Sequence, residues 1–114
     1  MTAVTKKLLL DIQEAAQSIL KHTSSQSLTD FSGDRFFRRA VEREFEIIGE
    51  ALNRLERSDP ETGARITELR RIVDFRNRII HGYDTIDDIV VWGVAEKHLP
   101  LLEREISALL NHEK

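Results

Sequence analysis

The 114-residue chain has no cysteine, which rules out a disulfide framework, a thiolate zinc site and a cysteine nucleophile. Five glycines and two prolines are too few for a turn-rich all-β fold. The longest apolar runs, Leu8-Leu9-Leu10 and Ile89-Val90-Val91-Trp92, fall far short of the ~20 residues that a membrane span needs. Lys6 and Lys7 precede only three leucines before Asp11, so a signal peptide is rejected and a cytoplasmic protein is expected. No sign of charge dominates. The formal net charge is −3, with eleven arginines against ten acids in residues 34–83 and three bases against seven acids in residues 84–114. Arginine outnumbers lysine twelve to five, and the guanidinium fork suits phosphate or carboxylate. This distribution allows a local phosphate site and excludes a broad basic surface.

What is present is a helical period. Leu8, Ile12, Ala15 and Ile19 predict a helix over about 4–22. A polar loop rich in Ser and Thr is expected from His22 to Ser32. Ser32 and Asp34 read as a helix start, and Phe37, Val41, Ile48, Leu52 and Leu55 predict a second helix over about 34–57. Asp59-Pro60-Glu61 opens a short turn that Gly63 breaks. Ile66, Leu69, Val73 and Ile80 mark a third helix ending near Gly82, a natural residue just past a helix end. Thr85, Asp87 and Asp88 start a fourth, carrying Ile86, Ile89, Val90 and Val94. Pro100 lacks an amide donor and kinks or divides the helical stretch around it, and Leu102, Ile106 and Leu109 make the last helix. Apolar residues form 40% of the chain. They predict one all-α domain over 1–114, a four- to five-helix bundle.

On the second helix Arg38, Glu42, Glu46, Glu50 and Arg54 occur at four-residue spacing. Three aligned carboxylates resemble the beginning of a metal site, but no Glu has a His three residues later. The column is expected to be a solvated face with ion pairs to its terminal arginines. His22, His98 and His112 lack the helical-spaced partner of a zinc site and are expected on the surface or in loops. No glycine-rich phosphate loop of either nucleotide-binding kind occurs, and Trp92 is expected in the core. Neither a metal nor a cofactor is expected.

The segment Asp74 to Asp84 resists a plain structural account. It contains Arg76-x4-His81 followed by His81-x-Tyr83. Arg-x4-His arises about 0.4 times by chance in this composition, and His-x-Tyr only about 0.04 times. At about 100° per residue, Arg76 falls on the stripe of Leu69, Val73, Ile80 and Tyr83, and an arginine there needs a partner. That need points to a homodimer whose interface includes Arg76. His81 lies about 40° from Asn77 and about 140° from Arg76. Its place in the last turn of the helix favours the imidazolium. A capping His and an arginine lying along the bundle would satisfy the same pattern.

Arg76-Asn77-Arg78-Ile79-Ile80-His81-Gly82-Tyr83 resembles the Arg-x4-His-x-Tyr signature of HepT-like toxins of the HEPN superfamily. The resemblance extends to Ile48-Gly49-Glu50-Ala51, Val91-Trp92 and Leu99-Pro100-Leu101-Leu102. It implies a dimerising helical bundle, metal-independent RNA endonuclease activity, and a type VII toxin–antitoxin partnership with a nucleotidyltransferase antitoxin. It also implies that the antitoxin adenylylates Tyr83 and so silences the toxin. Residue chemistry then gives His81 the proton transfer, as base, acid or both, and Arg76 the phosphate clamp, with Asn77 in support. The alternative is a non-catalytic helical module that holds a nucleotidyltransferase or a nucleotide. A duller third reading is a structural bundle in which Arg76 pairs with Glu50.

Overall fold

In the computed structural model, which describes residues 1–81 and 87–112 with His81 through its backbone alone, every regular element is a helix. The order is α1 (Ala3–Thr23), α2 (Leu28–Gly33), α3 (Arg35–Ser58), α4 (Pro60–Gly63), α5 (Leu69–His81), α6 (Asp88–Lys97) and α7 (Leu99–Asn111). Each start has a local cause. Thr2 accepts from the Thr5 amide, Asp34 from Phe37, Asp59 from Thr62 and Asp87 from Ile89, each satisfying an amide that the first turn leaves unpaired. Pro100 lies in the first turn of α7, where no amide is needed, so it divides the last two helices at His98. No described helix is long and apolar enough to cross a membrane.

α3 forms the spine, packed against α1 on one flank and α5 on the other, and α7 lies along α1. Phe45, Ile48, Leu52 and Leu55 of α3 are fully buried against Leu9 and Ile12 of α1, Ile72 of α5 and Leu102 and Ile106 of α7. At about 25 cal/mol per Å² of apolar surface withdrawn from water, this shared core is the main force holding the helices together. Trp92 is buried as expected, 5.3 Å from the Phe31 ring.

Two readings of the sequence are corrected. The polar stretch before residue 32 contains a helical turn, α2, opened by a capping box between Ser27 and Asp30. Phe31 drives it, because the turn buries that ring completely, edge-on to Phe37 and beside Trp92. The third long helix begins at Leu69 rather than at Ile66, which is buried from the turn before it. The expected helix stop at Gly82 and start at Thr85 lie outside the described residues.

Candidate active site

The register of α5 decides which of its candidate residues meet. Leu69, Ile72, Val73 and Phe75 are buried, whereas Ile80, expected on the same stripe, is 42% exposed. The buried face spans Phe75, Ile72, Leu69 and Val73, with Arg76 near its centre against α3. Ile80 shares that face by angle but stands one residue from the end of the helix. A Cβ added to Gly49 would stand 2.3 Å from Cβ of Arg76 and 2.5 Å from its Cγ. The missing side chain of Gly49 thus makes room for Arg76.

The next residue on α3 fixes the guanidinium. Arg76 Nη2 donates to Glu50 Oε2 at 2.9 Å, and Arg54 Nε donates to Glu50 Oε1 at 3.0 Å. Arg76 Nη1 donates to Asn77 Oδ1 at 3.1 Å. One carboxylate between two guanidiniums leaves the trio with a positive surplus. Each terminal nitrogen of Arg76 still has a second hydrogen for an incoming acceptor. The partner that an arginine on this stripe requires, read from the sequence as a reason for dimerisation, is supplied by Glu50 of the same chain. A groove of about 290 Å³ opens beside Arg76, walled by Leu8, Ile47 and Ile80 and by Glu46, Glu50 and Arg54.

His81 is the last residue of α5. The helix places it about 140° from Arg76 and about 40° from Asn77, so one α5 does not present the arginine and the histidine on one face. Tyr83, the expected modification site, lies outside the described residues.

The carboxylate column of α3 is less solvated than expected. Glu42, Glu46 and Glu50 are half-buried, and burial pushes the Glu42 carboxyl above its ordinary range, with Arg39 opposing. Only the Glu50–Arg54 end forms the expected pair. Arg38 reaches Asp88 on α6 at 3.7 Å, and Glu46 meets Arg43 at 3.6 Å. Among the described residues no three carboxylate or imidazole groups converge as a metal site needs. His22 and His112 are exposed, but His98 is half-buried with Nδ1 3.0 Å from Glu68 Oε2.

A feature absent from the sequence reading lies on the other flank of α5. A groove of about 810 Å³ separates α5 from α6. Its floor includes Phe75, Val90 and Val94, and its rim carries Arg71, Arg78 and Lys97. Arg71 and Arg78 are seven residues apart, which puts them within about 20° of one face. That spacing was available in the sequence, but the lysine opposite them depends on how α6 folds back.

These elements define a class: an all-helical HEPN-type bundle with an Arg-x4-His segment on one long helix and its arginine locked over a glycine of another. Residues 12–109 match the ribonuclease HepT-like family, and the chain belongs to that family. It is 34% identical over 108 residues to "Probable ribonuclease HepT" of Thermococcus cleftensis, covering 91% of this chain and 94% of that protein. It is 31% identical over 101 residues to "Putative RNase MJ1380" of Methanocaldococcus jannaschii, covering 89% and 92% of the two chains. A Caldanaerobacter subterraneus protein, "Putative RNase TTE0752", is 28% identical over 103 residues, with 90% and 91% covered. No solved structure matches the chain.

Proposed function

We propose that this chain is a metal-independent RNA endonuclease acting in the cytoplasm, the toxin of a type VII toxin–antitoxin pair, with residues 1–114 working as one domain. The observation that carries the reading is the immobilised guanidinium of Arg76, held by Glu50 above Gly49 with hydrogens to spare. A preorganised cation of this kind stabilises charge that develops on phosphoryl oxygens. The 2′-hydroxyl of RNA attacks the adjacent phosphorus, a route closed to DNA. The 2′-oxygen–phosphorus bond forms and the bond from phosphorus to the 5′-oxygen breaks. One proton leaves the 2′-hydroxyl and one reaches the departing oxygen, giving a cyclic phosphate and a 5′-hydroxyl. His81 serves this transfer as base, acid or both, Arg76 clamps the phosphate, and Asn77 supports them.

The split of Arg76 and His81 around α5 favours a homodimer that gathers two copies of the motif into one cleft. The exposed side chain of Ile80, beside the Arg76 groove, suits such a contact. Tyr83 is the proposed switch. A nucleotidyltransferase antitoxin would join its hydroxyl to the α-phosphorus of ATP and release pyrophosphate. The added phosphate would compete with RNA for the Arg76 guanidinium.

The Arg76–Glu50 bond also favours a second reading, a non-catalytic module in which Arg76 is structural and the surface holds a nucleotidyltransferase or a nucleotide. Purified chain incubated with RNA in chelator separates the two. Cleavage to cyclic-phosphate ends that Arg76→Ala and His81→Ala each abolish, with helical content retained, supports the nuclease. Nucleotide binding without cleavage supports the module. Tyr83→Phe should cut RNA and escape the +AMP mass shift that wild type shows with antitoxin and ATP.

A further inference from the structure

The groove between α5 and α6 is not used by the Arg76 site, and its charge departs from that of the chain. The whole chain carries a formal −3, yet the described lining residues of the groove include Arg70, Arg71, Arg78 and Lys97 against only Glu68 and Asp74. Arg70 is already engaged by Glu56 and Asp74. Arg78 and Lys97 have no ion-pair partner among the described residues, and both are exposed. Arg71, 61% exposed, meets Glu68 only at 3.4 Å. Beneath these cations lie the apolar side chains of Phe75, Val90 and Val94.

The two helices frame the groove in opposite directions. At one end the start of α5 is pinned. Glu68 meets His98, and Thr67 donates to both carboxylate oxygens of Glu105 on α7, at 2.8 and 2.7 Å. Arg71 and Arg78 are about 10 Å apart along the axis of α5, so the cations lead away from the pinned end toward the residue that closes the helix, His81. Phe75 and Val94 are buried and offer bases little surface, so recognition falls to the rim. A row of cations along a groove is the arrangement that tracks the phosphate backbone of single-stranded nucleic acid.

We propose that this groove holds the phosphate backbone of single-stranded RNA through Arg71, Arg78 and Lys97 and leads the strand to His81. The proposal rests on the ribonuclease reading and adds the path by which the substrate lies on the protein.

The test uses the full chain and a fluorescent single-stranded RNA oligonucleotide carrying 2′-O-methyl groups, which bind but cannot attack. Anisotropy titrations from low to moderate salt compare wild type with Arg78→Gln/Lys97→Gln and with the triple variant that adds Arg71→Gln. Lys6→Gln on α1 is the control for general charge loss. The double variant should weaken binding about tenfold or more at ~0.1 M salt. The log–log salt slope should fall by about 0.7 per lost contact. The double variant leaves no carboxylate without its described partner, and circular dichroism checks that it folds. If wild type cuts unmodified RNA but the double and triple variants bind with its affinity and slope, this proposal falls and the nuclease stands. Retained RNA affinity with loss of antitoxin binding would make the groove a protein-docking surface and overturn the proposal. If wild type neither binds nor cuts RNA, the nuclease reading itself fails.

Discussion

Gly49→Ala tests the joint between α3 and α5 on which the Arg76 site stands. The new methyl would sit 2.3 Å from Cβ of Arg76, whereas carbon atoms rest at about 3.5–4.0 Å. A rotamer change moves the Cγ of Arg76 but not its Cβ, so the helices themselves must part by more than about 1 Å. Overpacking of this kind costs about 1–3 kcal/mol. It is offset by about 1 kcal/mol because alanine is the better helix former. Gly93→Ala in α6 calibrates that offset, because nothing lies within 4 Å of its added Cβ. Urea denaturation should therefore place Gly49→Ala about 1–3 kcal/mol below Gly93→Ala, with Gly93→Ala at or above wild type. RNA cleavage should suffer far more, by about a hundredfold, because a shift of about 1 Å in a positioned group is enough for that. If the two substitutions stabilise the protein equally, the close approach of α3 and α5 is wrong and so is the account of how Arg76 is held.

Three further outcomes are expected. Phe31→Ala should cost about 3–5 kcal/mol by denaturant titration, because the ring is fully buried against Phe37 and Trp92. Asp59 accepts hydrogen bonds from the side chain and amide of Thr62 and from the side chain of Thr5, which hold its carboxyl below the ordinary value of 3.8. Its stabilisation is present above the unfolded value and lost as pH falls through the lower folded value. The gap in thermal midpoint between wild type and Asp59→Ala should be widest near neutrality and close in acid. Finally, mixing Arg76→Ala chains with His81→Ala chains should restore roughly a quarter of wild-type cleavage if two copies share a cleft. A mixture as inactive as either variant, despite proven exchange of chains, would refute the shared site.

Where helix faces are uniformly apolar, the sequence was legible. The period of α1 and α3 located both helices to within a residue or so, and Pro100 marked a division because its missing amide is tolerated only at a helix start. α2 was hidden because a single turn shows no period. Its signal was chemical, the pair Ser27 and Asp30 at capping-box spacing beside an aromatic. The exposure of Ile80 was hidden for a different reason. Ile80 shares the angular position of Leu69 and Val73, but it stands one residue from the end of α5 beside the open groove it lines with Arg76. Its place along the helix, and not the period, sets its exposure.

Site residues were legible as types and less so as neighbours. The carboxylate column of α3 and the arginine of α5 each stood out in the sequence, but their union through Glu50 depends on a contact 26 residues apart. A pair of residues five apart on a helix cannot share a face, whereas a spacing of three or four would place them together. The Arg-x4-His spacing therefore places the two candidate residues on different faces of α5. Its Arg76 flank is locked to α3, and its opposite flank lines the basic groove with Arg71 and Arg78. A strand drawn along the groove arrives on the histidine side of the helix, not the arginine side. On the proposed reading a phosphate held by both must bend around the end of α5 or be met by a second chain. The mixture of Arg76→Ala and His81→Ala chains decides between the two: recovery of cleavage requires the second chain.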